Sequence, residues 1–353
     1  MSQLKCNYAA AALAAVLLQL TESKMQDSRT SRPATDSRAI GAGDHEMSFV
    51  YSDSSSPGGR RRSWILHIPK SYDASAALPL VLVFHGGMGT ARQAANQYHW
   101  PAKADAENFI VVFPDGVGLF QTWNAGHCCG AALRENADDV GFIRALIEEI
   151  SKTVNINNQK IYATGMSNGG MFAHRLAAEC SDQIAAAAAV AGTIGGKANS
   201  RAKEYKVPNP KNPVPMMIIH GMLDKNVLYH GGETQLGAAA GRIDLSVAES
   251  VAFWAAANRC ETQPASMPSP SPHITIEKYS NSRINADVVL VTLKNQGHAW
   301  PGGKRGSRAL DAPSTEISAT DMIWEFFRSH SRSERAPAES QAASQPLLHK
   351  RDR

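Results

Sequence analysis

The sequence predicts an α/β protein in which a mostly parallel sheet carries helices on both faces. Two observations lead there. Short apolar, β-branched runs alternate along the chain with segments of helical spacing from about residue 49 to 328. The apolar runs are also continuous rather than every-other-residue, as strands covered on both faces require. With 353 residues, 43% hydrophobic and 19% charged, the chain has ample material for one large core.

The elements follow in order. Trp64–Ile68 reads as a strand, then Leu78–His85, then Phe109–Pro114. Asp138–Val154 places Val140, Ile143, Leu146, Ile147 and Ile150 on one helical face, with Asp138 and Asp139 as caps or structural partners. Lys160–Thr164 is a strand and Gly169–Cys180 a helix. Ala185–Ala191 and Pro215–His220 are strands, Leu245–Asn258 a helix, Asp287–Leu293 a strand and Ala319–Phe327 a closing helix. Pro208–Pro215 and Pro264–Pro272 read as loops. The expected domains are a signal peptide over 1–20, a flexible linker over 21–46, one catalytic domain over 47–330 and a disordered tail over 331–353.

Charge narrows the partners. Lys plus Arg is 36 and Asp plus Glu 32, a net +4, of which the tail from Ser331 supplies five basic and three acidic residues. So small a surplus excludes nucleic-acid binding as the driving function. Arg60-Arg61-Arg62 reads as a solvated edge. The apolar stretch Tyr8–Leu20, preceded by Lys5, is 13 residues long: a signal core, and short of the roughly 18 residues that span a bilayer. A secreted or periplasmic protein without integral membrane association is expected.

Cys6 leaves with that signal. The other four cysteines suit an oxidising compartment. Neighbouring cysteines bridge each other with difficulty, so Cys128 and Cys129 are expected to reach Cys180 and Cys260 in some pairing. His127-Cys128-Cys129 lacks a second ligand pair, so no metal is expected.

Gly165-Met166-Ser167-Asn168-Gly169-Gly170 matches G-x-S-x-G between a strand and a helix. That context forces a sharp turn with the Ser167 hydroxyl exposed above the sheet, and small residues are needed where backbones crowd. A serine hydroxyl needs a base, and the base an orienting carboxylate. Asp224 follows the strand ending at His220, and His298 follows the strand ending at Leu293, the chain order Ser, acid, His. Two amides should hold the oxyanion: that of Asn168, and that of Gly87 in the His85–Gly89 turn, with Met88 as the adjacent alternative.

Six segments in this order, HGGMG, WNAGHCCG, DDVGFI, GMSNGG, HGMLD and GHAWPGG, resemble the α/β-hydrolase group that holds polyhydroxybutyrate-depolymerase-like proteins, feruloyl esterases and acetyl xylan esterases (carbohydrate esterase family 1-like). The resemblance spans about His85 to Gly303. It implies an α/β-hydrolase fold, a secreted serine esterase without cofactor, and Ser167, Asp224 and His298 as its triad. Its substrate would be a small or polymeric ester, such as a plant cell-wall polysaccharide ester or a polyhydroxyalkanoate. It further implies that Trp123–Gly130 lines or supports the cleft, where His127 replaces the usual small residue and would narrow the pocket. Trp123, Trp300 and Tyr229 are candidates to stack on an acyl group or sugar. A serine peptidase of similar fold and a binding protein on a hydrolase scaffold are the rival readings.

Overall fold

A computed structural model describes residues 40–234, 241–306 and 311–332. The expected signal peptide, most of the linker and nearly all of the tail lie outside the described residues. A compact unit begins at Gly41.

The first five strands are β1 (Gly43–Asp53), β2 (Ser56–Ile68), β3 (Leu78–Phe84), β4 (Ile110–Pro114) and β5 (Ile156–Met166). They are joined in one sheet by β6 (Ala186–Val190), β9 (Met216–Gly221), β12 (Ala265–Ser266), β13 (Ile274–Asn281) and β14 (Ile284–Leu293). The order is β1-β2-β4-β3-β5-β6-β9-β14-β13-β12. The central run from β4 to β14 is parallel; both flanks are antiparallel. A second sheet of four short strands comprises β7 (Gly195–Lys197), β8 (Tyr205–Lys206), β10 (Gly232–Glu233) and β11 (Ile243–Asp244).

Helices α1 (Ala91–Gln97), α2 (Trp100–Glu107), α3 (Gly130–Arg134), α4 (Asp139–Thr153), α5 (Asn168–Glu179), α6 (Val247–Ala257) and α7 (Ala319–Arg328) complete the fold. Buried residues of α1, α2 and α7 form one apolar cluster with Val81, Val83, Val111, Phe113, Ile219 and Val291, every other residue of their strands. The intervening residue Phe84 meets Phe172 of α5 edge-on at 4.9 Å, on the opposite face. Two-faced burial explains why these strands read as unbroken apolar runs.

Two expectations are corrected here. The linker was expected to run to residue 46, yet β1 starts at Gly43 and pairs residue by residue with β2. Arg60–Arg62 is not a uniformly solvated cluster. Arg60 pairs with Glu135 at the surface, while Arg62 is buried against Asp139 at 2.8 Å and lies 3.7 Å from the Phe142 ring centre. Alternation along β2 turns every second side chain inward, and the paired charge makes that burial tolerable.

Candidate active site

β5 runs into α5 through Ser167, whose backbone is held at φ 56° and ψ −123°. For a residue with a Cβ this region is strained and persists only when the surroundings fix it. Here the Ser167 amide donates to Val190 O at 2.8 Å, and its carbonyl accepts from Met171 N at 2.8 Å. A Cβ on Gly165 would stand 2.6 Å from Gly169 backbone atoms; one on Gly169 would strike the carbonyl oxygens of Phe84 and His85. The glycines are therefore required by the crossing of the turn with the end of β3.

That crossing also brings the His85–Gly89 turn to Ser167. A Cβ built on Gly86 would lie 3.6 Å from the Ser167 Cβ, and one on Gly87 3.6 Å from the Asn168 Cβ. The Met88 amide is already committed to Gln121 O at 2.8 Å. The Gly87 amide has no such partner among the described residues. Asn168 opens α5, where an amide has no acceptor within the helix. Its side chain is fixed by two bonds to Trp123, accepting from the amide at 2.8 Å and donating to the carbonyl at 2.9 Å.

Parallel pairing of β9 with β14 places Asp224 and His298 on adjoining loops. Leu223 N donates to Gln296 O at 3.0 Å, binding those loops together. Asp224 Oδ1 accepts from the amides of Asn226 and Val227 at 2.8 and 2.9 Å; Oδ2 receives Nδ1–H of His298 at 2.7 Å. Burial alone would raise the Asp224 pKa, but the His298 imidazole and the hydrogen bonds from His220 and His298 outweigh it and hold the carboxyl well below the usual range. With Nδ1 engaged, Nε2 is the His298 ring nitrogen that carries no hydrogen bond among the described residues. No hydrogen bond joins it to Ser167 among the described residues.

A family model described as Esterase PHB depolymerase matches residues 62–209. "Putative esterase NocK" of Nocardia uniformis subsp. tsuyamanensis is 31% identical over 285 residues, covering 76% of this chain and 80% of that protein. The chain belongs to the PHB depolymerase esterase family. Its class is that of the carboxylic ester hydrolases. Feruloyl esterase B of Piromyces equi is 30% identical over 247 residues, covering 69% of this chain but spanning only 44% of that protein. The α/β-hydrolase fold is shared with the acetyl xylan esterase of Aspergillus awamori, at a TM-score of 0.55 and 14% identity over 80% of this chain and 99% of that one.

Within this esterase His85, His127 and His174 each have partners of their own. His85 donates from Nδ1 to Gly86 O at 2.7 Å and accepts the Gly116 amide at 3.0 Å, and burial pushes its pKa down. Burial likewise lowers His174 to about 3. His127 is buried, with Nε2 3.1 Å from Asp244 Oδ1. His220, a rival base that fits the order Ser, acid, His less well than His298, contacts Asp224. Its Nε2 lies 2.8 Å from Val227 O and 3.4 Å from Asp224 Oδ2. The four-residue spacing His220–Asp224 was the signal that could have found it.

The two tryptophans expected to touch substrate do not present a face. Trp123 is fully buried, stacked on Phe172 at 5.1 Å, and its Nε1 donates to His85 O at 3.1 Å. Trp300 stacks on Tyr98 at 4.3 Å and donates to Thr320 Oγ1 at 3.1 Å. Both brace the loops of the site from behind, because an indole with its N–H satisfied and both faces covered belongs to the core. Tyr229 spends its hydroxyl on Thr292 at 2.8 Å. Asp138 caps α4 as expected, accepting from Gly141 N at 2.9 Å. Asp139 is a buried structural partner, holding Asn124 N at 2.8 Å as well as Arg62.

The cysteine pairing also differs from expectation. Cys128 and Cys129 sit side by side with Cα atoms 3.1 Å apart, and Cys180 and Cys260, bonded to neither of them, carry free thiols. Cys180 is buried at the end of α5, and Cys260 is engaged with Ala286 O at 3.6 Å. No cluster able to hold a metal ion occurs among the described residues, and no described helix is long and apolar enough to cross a membrane.

Proposed function

We propose that this esterase is a secreted serine hydrolase that works through Ser167, His298 and Asp224 and an acyl-enzyme. His298 Nε2 takes the proton as Ser167 Oγ attacks the ester carbonyl carbon. The charge that develops on the carbonyl oxygen is received by the amides of Gly87 and Asn168, aided by the N-terminus of α5. The C–O bond to the alcohol breaks as Nε2–H protonates it. Water then attacks the acyl carbon by the same route, releasing acid and free Ser167. Asp224 stays ionised and keeps the imidazole in the tautomer that leaves Nε2 able to accept.

The observation that carries this reading is the 2.7 Å bond from His298 Nδ1 to a carboxylate of depressed pKa, on the sheet rim where the strained Ser167 turn also ends. The catalytic domain is proposed to extend from about Gly43 to residue 330. Feruloyl and acetyl esters of plant cell-wall polysaccharides, and polyhydroxyalkanoates, are the proposed substrates, since the relatives are named for the first two and the family for the third. Ser167→Ala should abolish hydrolysis of p-nitrophenyl acetate and labelling by a fluorophosphonate probe. Full activity in Ser167→Ala would overturn the reading.

A further inference from the structure

Seven large apolar side chains are strongly exposed among the described residues, and five of them stand on or against the loops of the candidate catalytic groups. Met88, 62% exposed, follows Gly87 directly. Leu119 and Phe120, 92% and 69% exposed, tip the turn closed by the Val117–Thr122 bridge. The Met88 amide grips that turn through Gln121 O at 2.8 Å. Met222 and Leu223, 41% and 57% exposed, immediately precede Asp224 and are tied by their amides to Leu293 O and Gln296 O, on the strand and loop leading to His298.

Single exposed apolar residues are ordinary on any surface. Five carried on the loops of one site are not, and such patches mark contact with an apolar partner. Met88 strengthens the point. Its φ of 66° is the left-handed conformation that glycine adopts without strain, in a turn where residues 86, 87 and 89 are all glycine. A projecting thioether is kept there nonetheless. By contrast, all six tryptophans are buried, the most exposed being Trp324 at 4%, so no indole face is open to a sugar ring.

We propose that Met88, Leu119, Phe120, Met222 and Leu223 form an apolar collar at the mouth of the site. It selects esters that carry an apolar chain of several carbons beside the scissile bond over acetyl groups on a hydrated polysaccharide. The proposal rests on the serine esterase reading and deepens it to a substrate class.

The test is a p-nitrophenyl ester series from acetate to octanoate, with acetylated xylan alongside, on the full chain. Covering a methylene favours binding by up to about fourfold, so kcat/KM should climb about tenfold or more from acetate to hexanoate. A Leu119→Ser, Phe120→Ser double variant changes only the exposed tip of a turn, so its thermal midpoint should stay close to that of the parent. Its hexanoate-to-acetate ratio of kcat/KM should fall at least fivefold. Met88→Gly, which relieves the left-handed strain, should lower the same ratio. A parent enzyme fastest on acetate, or variants that keep the full chain-length gradient, would overturn the collar while fluorophosphonate labelling of Ser167 left the esterase reading standing. Failure of that labelling would bring down both.

Discussion

Replacing Asp224 by Asn tests the site at its most specific point. The amide oxygen can occupy the place of Oδ1 and keep the amides of Asn226 and Val227, so the loop holds its shape. The amide nitrogen then takes the place of Oδ2, 2.7 Å from His298 Nδ1. It donates where the carboxylate accepted, so the neutral imidazole must carry its proton on Nε2. That nitrogen can no longer receive the Ser167 proton, and the imidazolium that forms in the transition state loses its counter-charge. Together these losses should lower kcat by about 10³–10⁴, or roughly 4–5.5 kcal/mol of barrier. KM should change little, since Asp224 is buried behind the imidazole. Steady-state kinetics on p-nitrophenyl acetate read both constants, with near-ultraviolet circular dichroism to show that the variant is folded. A folded variant within tenfold of the parent kcat would refute the assignment of Asp224 as the acid.

The same carboxylate should shape acid stability. Its folded pKa is depressed, so the folded state binds its proton less tightly than the unfolded chain. The stability it confers is therefore complete above the ordinary aspartate value of about 4 and drains away as pH falls from there towards the folded value. The difference in urea midpoint between parent and Asp224→Asn should be larger at pH 7 than at pH 3; a constant difference would count against the depressed pKa. Gly169→Ala drives a methyl group into the carbonyls of Phe84 and His85, backbone that cannot rotate away. It should cost about 1–3 kcal/mol or more in urea unfolding, along with most of the activity. Asp139→Ala leaves the Arg62 guanidinium buried and unpaired, a loss of about 3–5 kcal/mol that Arg62→Met in the same chain should largely reverse. His220→Leu removes an imidazole that touches both Val227 O and Asp224, and should lower kcat about tenfold at unchanged KM, with His220→Gln restoring part of it.

The sequence was most legible where burial is two-sided. Leu78–Phe84 and Met216–Gly221 can satisfy an unbroken apolar composition only as interior strands, and G-x-S-x-G between strand and helix leaves one sharp turn to make. Strand β1, GDHEMSFVYSD, is an edge with half-exposed residues throughout, so its composition matches a polar linker. The strands of the small sheet are two or three residues long, below the length at which alternation can be seen. Helix α1, ARQAANQ, buries only alanines and carries no apolar stripe. For the site, chain order and sheet register suffice to pair Asp224 with His298, because both follow neighbouring parallel strands. Whether an indole faces a cleft or the core depends on its rotamer and on what stacks against it. Trp123 and Trp300 could not be told apart from substrate contacts on that account.

Buried polar side chains account for most of what remained hidden, and they share a purpose. The segment Trp123–Gly130 contributes no group to the proposed chemistry, yet four side chains from three elements hold it. Asn168 clasps the backbone of Trp123, Asp139 the amide of Asn124, Arg175 the carbonyl of Asn124 at 2.8 Å, and Asp244 the ring of His127. Each bond crosses more than ten residues of sequence, so no local pattern announces it. Asn168 is the residue whose amide is proposed to bind the oxyanion, and its side chain is fixed to this loop. An oxyanion hole stabilises charge without reorganising only if its donors cannot move. The loop is therefore a rigid backing for the turn at Ser167, and its polar residues are retained because each one anchors backbone that would otherwise be free to shift.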